Sequence, residues 1–444
     1  MGETLARWRR AVEPWYVAYT LIGLATGGVA PILMPLVVNK AGSATHVGVV
    51  MATVGLGGLT AALWGDLADR LRWHRGLFGG GAVVAGLALA VFGMTTNAPA
   101  WVGLALVLGV GTAAANTVAS LFVVEVHPQP EWDARIGWLQ TFYNAGIVAG
   151  LVVAGSLSQL PLQIGLLTGA GALGLAGLAG WALTRTPPRP GATPAMRAAM
   201  TPEHRREALA PLHRHLAHVE WARLSPLRLI HMPRRATLAR LGRAMRSPFG
   251  VFLLLWVMAN LGTNAVFTLY PLVVDGIYGI PAGPASFALA GATGVGLLLY
   301  SPTSVLTHRI GGVRVLQAAL GVRLLTFGGL IGLAGVAFAG REVVVLLAFA
   351  IVSLAFPAMS VSSTLLTSQL SPVGEGEGMG LYTAVAARAG LGGAVLGGWV
   401  AAQSGYPTTL WLAAVTIVAA LALTGLVRGA PRPAPPRAAA APPR

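Results

Sequence analysis

The sequence predicts an all-α membrane protein with twelve transmembrane helices, arranged as two halves of six. Apolar residues make up 55% of its 444 residues and charged residues only 10%, whereas a soluble domain carries roughly 25% charged residues. Apolar stretches of the ~20 residues that a helix needs to cross a bilayer recur along the chain. These stretches do not alternate polar and apolar residues, which excludes barrel strands and leaves helices.

The twelve predicted spans are separated by short polar segments and by one long segment. The first apolar run is longer than the core of a signal peptide, so we expect it to be retained as a membrane helix. The predicted spans lie near residues 15–38, 46–67, 77–95, 100–124, 136–157, 162–184, 248–274, 284–306, 315–338, 343–369, 379–401 and 407–428.

The positions of the basic residues predict the orientation. With the N-terminus in the cytoplasm, 26 of the 30 Lys and Arg residues fall on the cytoplasmic side, and only Lys40 and Arg341 fall outside. Cytoplasmic loops of membrane proteins carry such an excess of Lys and Arg. We therefore expect both termini in the cytoplasm and a multi-pass protein of the plasma (inner) membrane. The same distribution explains the net charge of +16 without nucleic acid as a partner.

The chain divides into two six-span halves. A weak repeat relates them, because Leu121–Pro128 (LFVVEVHP) and Leu365–Pro372 (LLTSQLSP) each end a fourth span. Two repeated halves are typical of transporters whose site lies at their interface. The predicted units are the N-terminal half at 1–186, a basic linker at 187–246, the C-terminal half at 247–430 and a disordered Pro/Ala-rich tail at 431–444.

The linker has a helical pattern of its own. Leu209, Leu212, Leu216 and Val219 recur at helical spacing among arginines. This pattern predicts an amphipathic helix that binds the acidic lipids of the inner leaflet. Three histidines of the same stretch lack the carboxylate or cysteine that would complete a metal site, so we expect a solvated face and no metal.

One loop carries a family signature. Residues 65–75 read Gly-Asp-Leu-Ala-Asp-Arg-Leu-Arg-Trp-His-Arg and lie between the second and third spans. They resemble the loop motif of the major facilitator superfamily, Gly-x-Leu-(Ala/Ser)-Asp-Arg-x-Gly-Arg-(Arg/Lys)-x. Gly65, Asp69 and Arg70 stand at matching positions, whereas Arg72 replaces a glycine of the motif. The resemblance extends over residues 12–428, includes a Gly-rich eleventh span, and implies that family's two-halved transporter fold.

The resemblance implies a gating role for this loop. In the family it docks against the start of span eleven when the cytoplasmic side closes, where a carboxylate such as Asp69 favours the helix N-terminus. Acids do not set orientation, which favours gating over a purely topological role for Asp69. We expect Arg70 and Arg72 to pair with Glu125 or with the acids that begin the fifth span. The predicted gating residues are therefore Gly65, Asp69, Arg70, Arg72 and Glu125.

The same resemblance places spans 1, 4, 7 and 10 around a central cavity, with spans 5 and 11 beside them. An Asn within the membrane is costly unless it faces a partner or water, so asparagines of these spans are informative. The predicted cavity residues are Tyr19, Asn116, Tyr143, Asn144, Asn260, Asn264, Tyr382 and Arg388.

Two arginines fall within predicted spans. Arg388 lies about ten residues, or ~15 Å, into the eleventh span. A charge at that depth indicates a functional site, so Arg388 either binds an anionic group of the substrate or is a structural residue bonded to helix carbonyls or to Tyr382. Arg323 lies about nine residues into the ninth span, and we expect it to snorkel to the headgroups as a structural residue.

Small residues predict close packing of two spans. Gly146 and Gly150 in the fifth span, and Gly393 and Gly397 in the eleventh, form small-xxx-small pairs. Such pairs serve static packing and moving hinges alike, and both interpretations remain open.

The chemistry that is missing narrows the function. None of the fourteen acids lies at mid-span, so the buried carboxylate that proton coupling usually needs is absent; Glu125, close to His127, is the one reachable candidate. The chain has no cysteine, which excludes disulfides and thiolate sites. It also lacks a nucleophile–base pair or a phosphate-binding loop. We therefore expect neither an enzyme nor a bound cofactor.

The predicted function is secondary transport by alternating access. A sparsely charged cavity favours efflux of a small neutral or amphipathic organic compound. We expect the transporter to be a monomer. Uptake of an organic anion through Arg388 is the alternative. A lipid flippase, and a non-transporting sensor that signals through the linker, are further alternatives of a different kind.

Overall fold

The computed structural model of the protein describes residues 12–71, 73–127, 131–184, 247–372 and 375–428. Within these ranges its regular secondary structure is helical, with no strand, as predicted. The linker at 187–246, the tail at 431–444 and Arg72 lie outside the described residues.

We number the spans 1 to 12 in chain order. In the N-terminal half, span 1 is Tyr16–Gly23, the π-helical segment Leu24–Val29 and Ala30–Ala41; span 2 is Ala44–Gly58 and Ala61–Leu71; span 3 is His74–Met94; span 4 is Ala98–Val126; span 5 is Trp132–Leu157; and span 6 is Leu162–Leu183. In the C-terminal half, span 7 is Pro248–Phe267 and Tyr270–Tyr278; span 8 is Ala282–Ile310; span 9 is Gly312–Leu333; span 10 is Arg341–Leu354 and Phe356–Leu370; span 11 is Glu375–Ser404; and span 12 is Pro407–Arg428.

Span 2 departs from the prediction. Eleven helices in the described part of the chain are long and apolar enough to cross a membrane, whereas the predicted span at 46–67 is two shorter helices. The chain turns at Leu59 and Thr60, where the Thr60 hydroxyl donates a hydrogen bond to the Gly57 carbonyl at 2.7 Å. Such a local bond competes with the helical backbone pattern, and three nearby glycines weaken the helix further.

Within each half, glycines bring two helices into backbone contact. Gly146 and Gly150 of span 5 lie against span 1, where an added Cβ would collide with the carbonyl oxygens of Thr20 and Leu24. Gly393 and Gly397 of span 11 lie in the same way against the backbone of span 7. The two pairs therefore hold together helices of the same half and occupy equivalent places in the two halves.

The halves meet at the end of the bundle remote from the linker, which we call the far end. Here Gly48 of span 2 lies against Gly398 of span 11, and a Cβ built on Gly283 of span 8 would lie 3.2 Å from the Gly155 carbonyl oxygen of span 5. The Tyr406 hydroxyl donates to Asn39 Oδ1 at 3.3 Å. Burial raises the pKa of this phenol, although the bond to Asn39 opposes the shift, so the hydroxyl remains protonated at neutral pH.

At the opposite end, which we call the linker end, the halves separate. The second helix of span 2, Ala61–Leu71, packs on spans 3 and 4 of its own half. The first helix of span 2, Ala44–Gly58, also packs on span 4 of its own half, but it packs in addition on span 11 of the other half. The described residues therefore form a bundle that is closed at the far end and parted at the linker end.

Candidate functional site

A cavity of about 310 Å³ lies between the halves at the middle of the spans. Span 5 contributes to it from the N-terminal half, and spans 7, 8, 9 and 10 from the C-terminal half. Transporters of two repeated halves place their substrate sites at this level. Its wall is formed by Asn144, Asn260, Thr263, Asn264, Phe267, Leu289, Ala292, Thr293, Gly296, Leu297, Tyr300, Arg323, Ser353, Phe356 and Pro357.

Three asparagines supply the side-chain amide groups of this wall, and all three were predicted as cavity residues. Asn144, Asn260 and Asn264 each donate one amide hydrogen to the carbonyl four residues earlier, at 2.8 Å. A side-chain amide has two donor hydrogens and one acceptor oxygen. Each asparagine therefore has one amide hydrogen and its amide oxygen left to bond a solute or water, and such a bond breaks none within its own helix.

Aromatic and aliphatic side chains form the remaining wall. Phe267 closes the first helix of span 7, and Phe356 begins the second helix of span 10. Leu289 and Leu297 of span 8 extend this apolar surface. A wall that combines amides with aromatic rings is typical of sites for small organic molecules.

Arg323 does not snorkel, contrary to the prediction. It lies at the middle of span 9, eleven residues from Gly312 and ten from Leu333, and is only 4% exposed. Its Nε donates to the Val352 carbonyl at 3.2 Å and its Nη1 to the Thr263 hydroxyl at 3.1 Å. The guanidinium thus points into the bundle and reaches the cavity wall, because the helix presents this position to spans 7 and 10.

Arg388 is not part of the cavity, which corrects its prediction as the leading charged site residue. It is exposed and shares a helical stripe with Val395 and Trp399, both strongly exposed. At 100° per residue this stripe lies about 140° from Gly393, which faces span 7. Arg388 forms no hydrogen bond or ion pair with a described residue, Tyr382 included. The methylene chain of Arg388 therefore lies on the outer surface of the bundle, from which its guanidinium can snorkel toward the headgroups.

The other aromatic candidates lie in the packing of the bundle. The Tyr19 ring lies 5.0 Å from that of Tyr143, whose hydroxyl is 3.3 Å from the Thr26 hydroxyl. The Tyr382 ring stacks on Trp256 at 5.1 Å. None of the three tyrosines lines the cavity; they hold span 1 against span 5, and span 7 against span 11.

Asn116 also lies apart from the cavity. It belongs to span 4, and its Oδ1 is buried without a hydrogen-bond partner among the described residues. The structure does not bring Asn116 to the asparagines of spans 5 and 7, which line the cavity.

Residues of spans 8 and 9 were missed by the sequence reasoning. Thr293, Tyr300 and Arg323 line the cavity, yet the family resemblance directed attention to spans 1, 4, 7, 10, 5 and 11. A signal was present for Arg323, because a charge about midway along an apolar helix is itself a reason to suspect a site.

The gating residues are described only in part. Gly65 lies beside Thr117 of span 4, with 3.7 Å between an added Cβ and the Thr117 methyl group. Asp69 and Arg70 belong to the helix that ends span 2, and Glu125 to the end of span 4; their side chains lie outside the described residues. Their pairing and the docking of this loop on span 11 therefore remain predictions.

A cluster of charged and polar side chains joins three spans at the linker end. Glu13, just before span 1, lies 2.5 Å from His127 and 2.7 Å from Arg135. Arg135 also pairs with Glu131 at 2.9 Å. These are structural contacts within the N-terminal half, because all four residues flank spans 1, 4 and 5 of that half.

Comparisons with known proteins agree with this architecture. The sequence matches the family model described as Major Facilitator Superfamily over residues 15–390, and no curated protein matches it. A mutant of the nucleoside transporter NupG superposes with a TM-score of 0.72 at 14% identity, covering 94% of this chain and 99% of that chain.

Two bacterial structures in inward-facing states are also similar. A homologue of the human lysosomal transporter Spinster, inward-facing and occupied, gives a TM-score of 0.65 at 13% identity and covers 94% of this chain and 95% of its own. A homologue of the iron transporter ferroportin gives 0.66 at 14% identity, with 94% and 98% covered. At these identities the likeness shows the fold, and the family match covers most of the chain. The chain therefore belongs to the major facilitator superfamily and is a multi-pass membrane transporter.

Proposed function

We propose that the protein is a secondary transporter that moves a small organic solute through the mid-membrane cavity by alternating access. The observation that carries this proposal is the cavity itself, which lies between the halves at the middle of spans 5, 7, 8, 9 and 10. A site at that level is reached from either side when one half rocks against the other.

The contacts between the halves support the alternating part of the proposal. Gly48, Gly155, Gly283 and Gly398 allow close backbone approach at the far end, while Ala61–Leu71 packs on its own half at the linker end. With the termini in the cytoplasm, as the arginine distribution predicts, this is the cytoplasm-facing state. Docking of the Asp69 loop on span 11 would then accompany the opposite state.

The cavity wall favours an amphipathic organic solute over a metal ion. Its polar groups are amides, hydroxyls, a phenol and one guanidinium, and its apolar groups include Phe267 and Phe356. Transition-metal sites are built mainly from carboxylate, imidazole and thiolate ligands, and none of the described wall residues supplies one. We propose efflux as the direction, since a sparsely charged wall suits a compound that also partitions into lipid.

The driving force is proposed to be the solute gradient or an exchanged solute. The cavity wall carries no carboxylate, and none of the fourteen acids of the chain lies at the middle of a span. Proton-coupled transporters usually place a titratable acid on the pathway. Transport without a pH gradient is therefore expected.

Flux measurements on proteoliposomes test the proposal. The purified chain is reconstituted and offered a panel of labelled organic solutes in both directions, with and without a pH gradient, alongside labelled phospholipid. The expected result is saturable flux of at least one organic solute that persists without the pH gradient. Flux of no solute, or movement of lipid alone, would refute the proposal.

A further inference from the structure

We propose that Arg323 binds an anionic group of the transported solute, which makes the substrate a small organic anion with an apolar or aromatic body. This inference rests on the proposed function, because it takes the bound anion to be the solute that the protein transports. It replaces Arg388, which the cavity does not include, as the residue that recognises charge.

The first observation is the position of the guanidinium. Arg323 is 4% exposed and lies at the midpoint of span 9, about 16 Å along the helix from either end at 1.5 Å per residue. It lines the cavity together with Asn260, Asn264 and Thr293. Its charge is therefore held at the level of the solute and cannot reach the headgroups.

The second observation is the number of donors left over. A guanidinium carries five N–H donors. The described structure shows two of them in use, toward the Val352 carbonyl and the Thr263 hydroxyl. Both acceptors are neutral, so the bonds hold the side chain in place without compensating its charge.

The third observation is the lack of a counter-ion. Ion pairs of the described residues lie at the linker end, around Glu13 and Glu131. Between residues 221 and 374 the whole sequence contains only two acids, Asp275 and Glu342, each at the far end of its span. Spans 7 to 10 therefore bring no carboxylate to the middle of the membrane. A buried charge without a partner is strongly unfavourable, and an anionic solute would supply the partner.

The surroundings define the class of anion. The amide hydrogens that Asn260 and Asn264 do not donate to their own helix suit the second oxygen of a carboxylate or the further oxygens of a phosphate. Phe267 and Phe356 suit an apolar or aromatic body. A bare inorganic anion would leave that part of the wall without contacts.

A competing interpretation is that Arg323 only ties span 9 to spans 7 and 10 through its two hydrogen bonds. The two interpretations differ in what they predict for binding by the purified protein. If Arg323 is only structural, the protein should bind an anion and its uncharged isostere with equal affinity. If the guanidinium binds the ligand, the affinity for the anion should be higher.

Ligand binding to the purified full-length chain in detergent tests the inference. The probes are matched pairs, 3-phenylpropionate with its amide and indole-3-acetate with its amide, together with phenyl phosphate. Affinity is read from the rise of the unfolding midpoint with probe concentration, up to about 10 mM. The variants are Arg323→Gln, Arg323→Lys and, as the matched control, Arg388→Gln.

The inference predicts that wild type and Arg388→Gln bind at least one anion at least about tenfold more tightly than its amide, or bind phenyl phosphate. This preference should fall to within about twofold in Arg323→Gln and persist, weakened, in Arg323→Lys, which also serves if the Gln variant does not fold. No anion-dependent stabilisation of wild type, or a preference retained in Arg323→Gln, would overturn it. Binding in detergent does not require transport, so anion binding without flux would refute the proposed function alone.

Discussion

The contact between Gly48 and Gly398 yields the sharpest prediction about conformational change. A Cβ built on Gly398 would lie 2.5 Å from the Ala44 carbonyl oxygen and 2.8 Å from the Gly48 Cα. Both obstacles are backbone atoms of span 2, which cannot rotate away as a side chain would. The Gly398→Ala substitution therefore forces the halves apart at the far end.

The magnitude follows from the packing. One added methyl group in a tightly packed contact costs about 1–3 kcal/mol. The better helix propensity of Ala is common to both conformations and does not change their ratio. Since every 1.4 kcal/mol is a factor of ten, the ratio of far-closed to far-open molecules should fall by about 5- to 150-fold.

Distances between spin labels measure this shift. The chain has no cysteine, so introduced cysteines are the only labelling sites. A pair at the exposed positions Lys40 and Gln403 reports on the far end, and a pair at Trp73 and His308 on the linker end. The Gly398→Ala variant should gain a population with longer far-end and shorter linker-end distances.

A glycine with free space around it provides the control. Gly425 of span 12 has no atom within 4 Å of an added Cβ, so Gly425→Ala should leave both distance distributions unchanged. If folded Gly398→Ala gives the same distributions as the parent, then the glycine contact does not set the closed end and the reasoning is refuted.

Three further predictions address the loop, the packing within a half and the far end. Asp69→Asn should insert normally but lower transport, since it weakens the state in which the linker end is closed; an unchanged uptake rate would contradict this. Gly146→Val should lower the unfolding midpoint, because its side chain meets the backbone of span 1, whereas Gly171→Val, which has open space, should not; equal midpoints would count against the packing argument. Tyr406→Phe removes the bond to Asn39, worth about 1 kcal/mol, and should open the far end less than Gly398→Ala does; a far-end distribution identical to wild type would show that this bond contributes nothing.

The spans could be predicted because their signal is local. Helix length and apolar content are properties of consecutive residues. The break at Leu59 and Thr60 was missed because two residues do not interrupt an apolar stretch. The asparagines of spans 5 and 7 were also predictable, because a side-chain amide within the membrane is costly unless it faces a hydrogen-bond partner or water.

The two arginines show where sequence reasoning stopped. Depth along the helix ranked Arg388 above Arg323, but depth does not tell which way a side chain faces. That direction depends on the neighbouring helices: Gly393 turns one face of span 11 toward span 7 and leaves Arg388 outside, while Val352 and Thr263 receive Arg323 inside. Contacts between distant spans decide this, and one sequence does not contain them.

Blocking the cavity tests the central claim most directly. Thr293 lines the cavity, and Thr293→Cys provides a single reactive thiol in a chain that has none. With a transported solute from the flux panel, the account predicts near-native flux by the unlabelled variant and flux at the background of empty liposomes once a bulky maleimide is attached. Undiminished flux through fully labelled protein would contradict the claim that the solute crosses at this site.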